Sequence, residues 1–353
     1  MASRSTIAVG HSALGRFIRE ALVAKGASTS DAETVAEGLV WANLRGIDGH
    51  GVSRLPLYLA MIASGEIDPK ARAELVHDGA ATFLVEGHHG FGPPAMMQAI
   101  ATATERARTT GIAFGLVRET THTGAIGRYA QWMAERGCAG IIVAAGPSFM
   151  AYHGARVPSL ATSPIAIAVP RGGGTMVLDM ATSAISNGKL LQARATGAPL
   201  PAGAVLNEAG EPTTDPHQAA TLLPLGGAKG SGLGFMIEML ASVLAAAPIQ
   251  SRALGPEKRT RRTQNSAIFA IDIAAFRPLA AFAHDADALA VLIKALPRQA
   301  GFDEILMPGE RSDRTEAARR KSGIPIPAKL WEELAKIAEA CAIKMPEPVP
   351  PST

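Results

Sequence analysis

Hydrophobic residues recur at helical spacing in the opening part of the chain. Within residues 11–25, Leu14, Phe17, Ile18 and Leu22 share one face, and Gly26 supplies a stop. Ser30, Asp31, Ala32 and Glu33 have the form of a capping box, which predicts a second helix through Val35, Leu39 and Val40. A polar, glycine-rich stretch over 45–51 interrupts the pattern. A third helix is expected through Leu55, Leu57, Leu59 and Met61, with Pro69 as the next break. From about residue 80 the pattern mixes short apolar runs with helical spacing. Strands are predicted over 81–86, 112–117, 139–144 and 267–273, and helices over 93–109, 125–135, 232–247 and 285–296. Residues 165–169 and 175–179 flank Arg171, Gly172, Gly173 and Gly174 and read as a hairpin. One more helix follows Pro325, and the ending EPVPPST reads as a frayed tail.

This order predicts an α/β protein: a mixed-sheet domain over 76–312, and a helical domain built from both chain ends, 1–75 with 313–353. At 353 residues with 47% hydrophobic, the chain is long enough to bury a sizeable core. The net charge of +3 comes from 34 basic against 31 acidic residues, with no basic cluster interleaved by aromatics, so nucleic acid is not expected as a partner. The longest apolar stretch, 234–249, carries Glu238 and is short for a bilayer, so no membrane association is expected either. Two cysteines, Cys138 and Cys341, make neither a disulfide framework nor a zinc site, and no metal is expected. With no apolar signal-peptide core near the start, the expected setting is the cytoplasm. Thirty-six glycines suggest nucleotide binding, yet neither G-x-G-x-x-G nor the P-loop pattern occurs, and G-x-S-x-G is absent too. A Rossmann fold, a P-loop and a serine hydrolase each lose their main support.

Four segments carry candidate chemistry. In Asp48-Gly49-His50-Gly51-Val52-Ser53-Arg54 a histidine lies between glycines, open to a small ligand, with a carboxylate-binding guanidinium four residues on. A surface turn with a solvated arginine has the same composition. Thr121–Tyr129 joins a strand end to a helix start and places His122 near free backbone N–H groups, or in an ordinary capping loop. Asp179 ends the apolar strand Thr175, Met176, Val177, Leu178, where it can orient an imidazole or a cofactor hydroxyl, or cap a helix. Five glycines surround Lys229 over 226–234 at a helix start, a combination suited to phosphate and equally to a flexible loop. Pro308-Gly309-Glu310-Arg311 is a weaker turn. None of these segments alone fixes a reaction.

Taken in order, these segments resemble the malate/L-lactate dehydrogenase family of the non-Rossmann type. The likeness rests on residues 48–54, 121–129 and 178–183, Gly188-Lys189, PTTDP at 212–216, and residues 223–233. It implies a non-Rossmann mixed-sheet domain binding NAD(H) or NADP(H), and hydride transfer to or from a small carboxylate-bearing substrate. The expected reaction interconverts a 2-oxo acid and a 2-hydroxy acid. The alternatives are reduction of a cyclic imino acid, such as piperideine- or pyrroline-2-carboxylate, or a relic that binds a metabolite without turning it over. By motif, His50 and His122 are the candidate acid–base residues, with the choice between them open, and Asp179 lies near the imidazole and nicotinamide. Arg54 and Ser148 are the implied substrate contacts. Thr175, Met176, Val177, Leu178, Asp179, Met180, Ala181, Ala228, Lys229, Gly309, Glu310 and Arg311 are the implied cofactor contacts. A homodimer is also implied. Two positions depart from the family pattern: Gly49 stands where a serine is common, and Ser163 stands where an asparagine is common. Gly49 is expected to widen the pocket beside His50.

Overall fold

The computed structural model describes residues 6–249 and 262–350. The opening helices form where spacing predicts them. α1 (His11–Ala24) buries Leu14, Phe17, Ile18 and Leu22, and α2 (Thr29–Leu44) packs beside it. The cap of α2 is Ser28 rather than Ser30. The extended backbone at Ser28 lets its hydroxyl accept the Asp31 N–H at 3.1 Å, so the helix starts earlier than the box implies. Two 3-10 turns, Asp48–His50 and Val52–Arg54, lead into α3 (Leu55–Ala63).

β1 (Thr6–Val9) is too short to show a period, and it pairs antiparallel with β14 (Ile324–Pro327) near the other end of the chain. α10 (Ala328–Cys341) follows β14 into the same apolar core as α1 and α2. The tail is not frayed where it is described. Val349 donates its N–H to the Ala8 carbonyl at 2.8 Å, and Pro348 bridges to Val9, because β1 would otherwise leave an open edge. Residues 351–353 of that tail lie outside the described residues.

Seven strands form the central sheet: β2 (Glu74–Asp78), β3 (Thr82–Glu86), β4 (Ile112–Thr120), β5 (Cys138–Ala145), β8 (Ile165–Arg171), β9 (Gly174–Met180) and β13 (Gln264–Asp272). Their order is β2-β3-β4-β13-β5-β8-β9, and only β3 and β4 run parallel. The mixed, non-Rossmann sheet is therefore as expected. α4 (Gly92–Thr110) connects the parallel pair. Its Ala95, Met96, Ala99, Ile100, Ala103 and Ala107 form one buried stripe, small enough to lie close on the sheet. α5 (Gly127–Ala134) covers the same face. The other face is covered by α7 (Ala228–Glu238) and a π-helical turn, Met239–Val243. α7 starts before the predicted 232, directly after Gly226 and Gly227, whose positive φ turns the chain. α8 (Leu279–Lys294) likewise starts before 285, with Pro278 as its cap.

A second sheet is made of very short strands: β6 (Met150–Ala151), β7 (Pro158–Leu160), β10 (Val205–Leu206), β11 (Pro212–Thr213) and β12 (Thr221–Leu222). Two or three residues carry no readable period. With α6 (Asn187–Thr196) they enclose a small core of their own. α9 (Glu310–Ser322) has no buried residue, hence no apolar stripe to predict it. It is held by i,i+4 ion pairs, Arg314 with Glu310 and Arg320 with Glu316. No helix among the described residues is long and apolar enough to cross a membrane.

Candidate active site

A cavity of about 500 Å³ opens where the turns before α3, the β4–α5 loop and the end of β9 meet. The turn carrying His50 is fixed from below. Asn43, buried near the end of α2, donates its side-chain N–H to Asp48 at 2.7 Å and accepts the Val52 N–H at 2.7 Å. Arg319 of α9 donates to both Asp48 oxygens, at 2.6 and 3.0 Å, and to the Asn43 carbonyl oxygen. The Nε–H of Arg54 donates to the Gly49 carbonyl at 2.6 Å. Among the described residues the terminal amino groups of Arg54 have no hydrogen-bond partner, and the residue lines the cavity. A guanidinium so held is ready for a carboxylate.

His50 and His122 stack with ring centroids 5.2 Å apart and planes 1° from parallel. Burial, then the Arg54 charge, lowers His50 to about 4. His122 is held well below the ordinary imidazole value by burial, by Arg54 and by His50. Both rings are therefore neutral at pH 7 in the ligand-free protein. The Tyr58 hydroxyl of α3 lies 2.6 Å from Nδ1 of His122. Tyr58 is 1% exposed, and burial raises its pKa, so it keeps its proton.

The facing wall is built differently. Val177, Leu178, Asp179, Met180 and Ala181 line it, and Gly309 completes it with φ +87. A Cβ at Gly309 would come within 3.1 Å of the Val177 carbonyl oxygen. Asp179 is not bonded to either imidazole. It accepts the Gly127 N–H at 2.8 Å and so caps the start of α5, where a Cβ at Gly127 would sit 2.7 Å from the carboxylate. The contact expected of Asp179 toward a histidine is made instead by Tyr58, because β9 delivers the carboxylate to the helix end. Desolvation in this recess raises Asp179 to about 6, against the opposing pull of the Gly127 bond and Arg45.

The expectation that Gly49 widens the pocket fails. A Cβ on Gly49 would lie 3.0 Å from the Gly188 Cα, so the backbone of α6 occupies the space of the missing side chain. Ser163 is buried at φ +34, a left-handed conformation that asparagine tolerates better, which accounts for an amide there in the family pattern.

Of the residues singled out by sequence, the cavity gathers His50, Arg54, His122, Asp179 and Gly309, with the wall 177–181. Thr175 and Met176 lie further back on β9, outside it. Ser148 is buried between the lining residues Pro147 and Phe149. Ala228 and Lys229 start α7 outside the wall, and Lys229 is exposed because its neighbour Gly230 takes the inward position against Leu225 and Thr182. Glu310 is engaged by Lys294, Arg314 and the Met307 N–H, and Arg311 is exposed. Spacing gives no role to Asn43, Tyr58, Arg45 or Thr263, which the fold brings to the site. Only Tyr58 carries a local signal, since it lies four residues after Arg54 and shares its side of a helix.

The residues fit a nicotinamide cofactor. The volume is that of a small-molecule site, and one wall offers the largely apolar end of β9 and a glycine turn to a flat ring. Two polar atoms in its lining residues, His50 Nδ1 and Thr263 Oγ1, are buried without a partner among the described residues, as expected where a ligand completes the bonding.

Comparison with known proteins gives the same direction. Malate dehydrogenase of Pyrococcus abyssi is 34% identical over 338 residues, covering 93% of each chain. A Delta(1)-pyrroline-2-carboxylate/Delta(1)-piperideine-2-carboxylate reductase of Pseudomonas syringae pv. tomato is 36% identical over 247 residues, 69% of this chain and 72% of the reductase. The crystal structure of malate dehydrogenase from Entamoeba histolytica superimposes with a TM-score of 0.92 at 26% identity, over 97% of this chain and 100% of that one. The family pattern of malate/L-lactate dehydrogenase matches residues 9–335, so this non-Rossmann sheet with its paired histidines belongs to a member of the malate/L-lactate dehydrogenase family.

Proposed function

We propose that the chain is an NAD(P)-dependent oxidoreductase interconverting a small 2-oxo acid and its 2-hydroxy acid. The observation that carries this reading is the juxtaposition, in one cavity, of an Arg54 guanidinium whose amino groups are unpaired among the described residues and two stacked neutral histidines. NAD(H) or NADP(H), when bound, supplies or takes up the hydride. Arg54 holds the substrate carboxylate, which fixes the reacting carbon relative to the wall 177–181. Binding that carboxylate offsets the Arg54 charge, one of the two causes depressing His50, and so favours an imidazolium beside the substrate oxygen. In reduction the imidazolium gives its proton to that oxygen, and in oxidation the neutral ring takes it back.

A cyclic imino acid is the second reading, favoured by the likeness to the pyrroline/piperideine carboxylate reductase. The packing of Gly49 on Gly188 gives it no extra room. The purified protein is incubated with NADH or NADPH and a panel of 2-oxo acids and cyclic imino acids, following loss of reduced-nicotinamide absorbance. Turnover of 2-oxo acids supports the first reading, and turnover of imino acids alone replaces it with the second. Tight cofactor binding without turnover on any substrate means a metabolite-binding relic.

We further infer a homodimer working in the cytoplasm. Exposed apolar side chains on α7 and α8, among them Phe235, Met236, Leu289, Val291 and Leu292, support a self-association surface. A monomer by light scattering at micromolar concentration would contradict it. The division into a helical lobe, 1–75 with 313–353, and a sheet lobe, 76–312, belongs to the same proposal. Cavity-lining residues from both segments support it, although β2 begins at Glu74 and α9 runs across residue 312.

A further inference from the structure

The stacked histidines look equivalent, but their surroundings differ. The Tyr58 hydroxyl lies 2.6 Å from His122 Nδ1 and has no other hydrogen-bond partner among the described residues. Tyr58 is almost fully buried, so its proton has no water to bond. If His122 donated from Nδ1 to the phenol oxygen, the phenol proton would be left without an acceptor. The arrangement that leaves no buried donor orphaned has Tyr58 donating to Nδ1, which places the one imidazole proton of neutral His122 on Nε2. His50 has no such partner: its Nδ1 is buried and unpaired among the described residues. Protonating His122 breaks a satisfied pair, whereas protonating His50 breaks no hydrogen bond among the described residues, because its Nδ1 has no partner in either state. Two rings stacked at 5.2 Å do not both carry charge, so the second proton goes to His50.

We propose that Tyr58 is the positioning residue of this site, holding His122 as its Nε2–H tautomer, a neutral hydrogen-bond donor to the substrate oxygen, and leaving His50 to carry the transferred proton. This rests on the 2-oxo acid reading above. In the reductive direction hydride from the reduced nicotinamide forms the new C–H bond at C2, and the carbonyl π pair moves to oxygen. His122 Nε2–H hydrogen-bonds that oxygen and keeps its proton. The His50 imidazolium gives its own proton to the oxygen and ends neutral, so the product is the hydroxy acid. Burial and the Arg54 charge lower both rings, and the neighbouring His50 lowers His122 as well. The charged and titratable groups facing the pair are Arg54 before α3 and Tyr58 on it, with Arg45 after α2, Asp179 on β9 and Arg262 before β13 also lining the cavity.

The test is Tyr58→Phe, which removes one hydroxyl and keeps the ring in the core. Ring ¹⁵N NMR of the cofactor-free protein at neutral pH should show His122 protonated at Nε2 and bare at Nδ1. In Tyr58→Phe the His122 tautomers should mix while the protein stays folded, with the unfolding midpoint lowered by the loss of one buried hydrogen bond. A proton on Nδ1 of His122 in the wild type, or an unaltered tautomer in the variant, overturns the proposal. That measurement needs no substrate, so it stays distinct from failure of the 2-oxo acid reading, which the substrate panel reports. With the active enzyme, Tyr58→Phe should lower kcat about ten- to a hundredfold while cofactor Kd holds, as expected for a misaligned donor. In the reductive direction the alkaline limb of the kcat profile, where the imidazolium loses its proton, should survive His122→Gln and vanish in His50→Gln. The reverse assignment of that limb would make His122 the proton carrier and sink the division of roles.

Discussion

The two walls of the cavity are built on opposite principles. On one side His50, Arg54, His122 and Tyr58 are polar side chains whose positions are set by hydrogen bonds reaching into α2, α9 and the turns before α3. On the other, residues 177–181 and Gly309 present a strand edge and a tight turn, lined mainly by apolar side chains. Protons and a carboxylate need groups of defined charge and direction. A long, flat cofactor needs clearance and backbone contacts. The difference teaches where single substitutions bite: the first wall fails by chemistry, the second by shape.

The sharpest way to break that contrast is at His50. His50→Gln should lower kcat for 2-oxo acid reduction by about 10²–10⁴-fold while cofactor Kd, followed by fluorescence, changes little. Loss of cofactor binding with the chemistry intact would exchange the two walls. Arg54→Met comes next. Removal of a charge-assisted pair worth about 1.5–3 kcal/mol should raise KM for the oxo acid roughly 10- to 150-fold, and steady-state kinetics will show whether the loss is in KM. An unchanged KM would take the carboxylate away from Arg54.

A pH titration of stability sharpens the comparison further, because the two walls act with opposite sign. His50 is lowered to about 4 in the folded chain against an unfolded imidazole near ~6.5, so the unfolded state binds more protons between those values. Its contribution is present above the unfolded value and is lost as pH falls toward 4. Asp179 is raised from 3.8 to about 6, so the folded state binds more protons in that window and stability falls as pH rises through it. Urea midpoints measured from pH 4 to 8 should show a shallower acid-side decline in His50→Gln, the rest of it being carried by His122. Asp179→Asn, which keeps an acceptor for the Gly127 N–H, should lose the opposing slope. Two profiles identical to wild type would mean that neither group is desolvated as described.

The smallest effect is expected at Lys229. Exposed and outside the wall, it should change cofactor Kd by less than about twofold when replaced by alanine, the scale of an ordinary surface substitution. A tenfold loss would extend the cofactor's path beyond the cavity to the start of α7.

Much of this was legible from residue order alone. The spacing of Leu14, Phe17, Ile18 and Leu22 dictates α1 because only one helical face can be buried. The glycines around His50 and the arginine after it mark the turn. The hairpin β8–β9 follows from two apolar runs about a glycine-rich bend. The very short strands β6, β7 and β10–β12 were not legible, since they exist only as pairs across the chain. Nor was α9, whose charged sequence has no apolar stripe and is read as a helix only once Arg319 reaches Asp48.

Residue order alone accounts for the apolar-striped helices and the longer strands, the mixed α/β class and the residue types able to move a proton and hold a carboxylate. These depend on local periodicity and on side-chain chemistry. Only the tertiary structure decided that Asp179 serves Gly127 and that Tyr58 serves His122. It alone filled the space beside Gly49 with the backbone of Gly188. Each of these is a contact between segments distant along the chain, and its partner is chosen by packing, where distance and burial set the hydrogen bond and the charge state together.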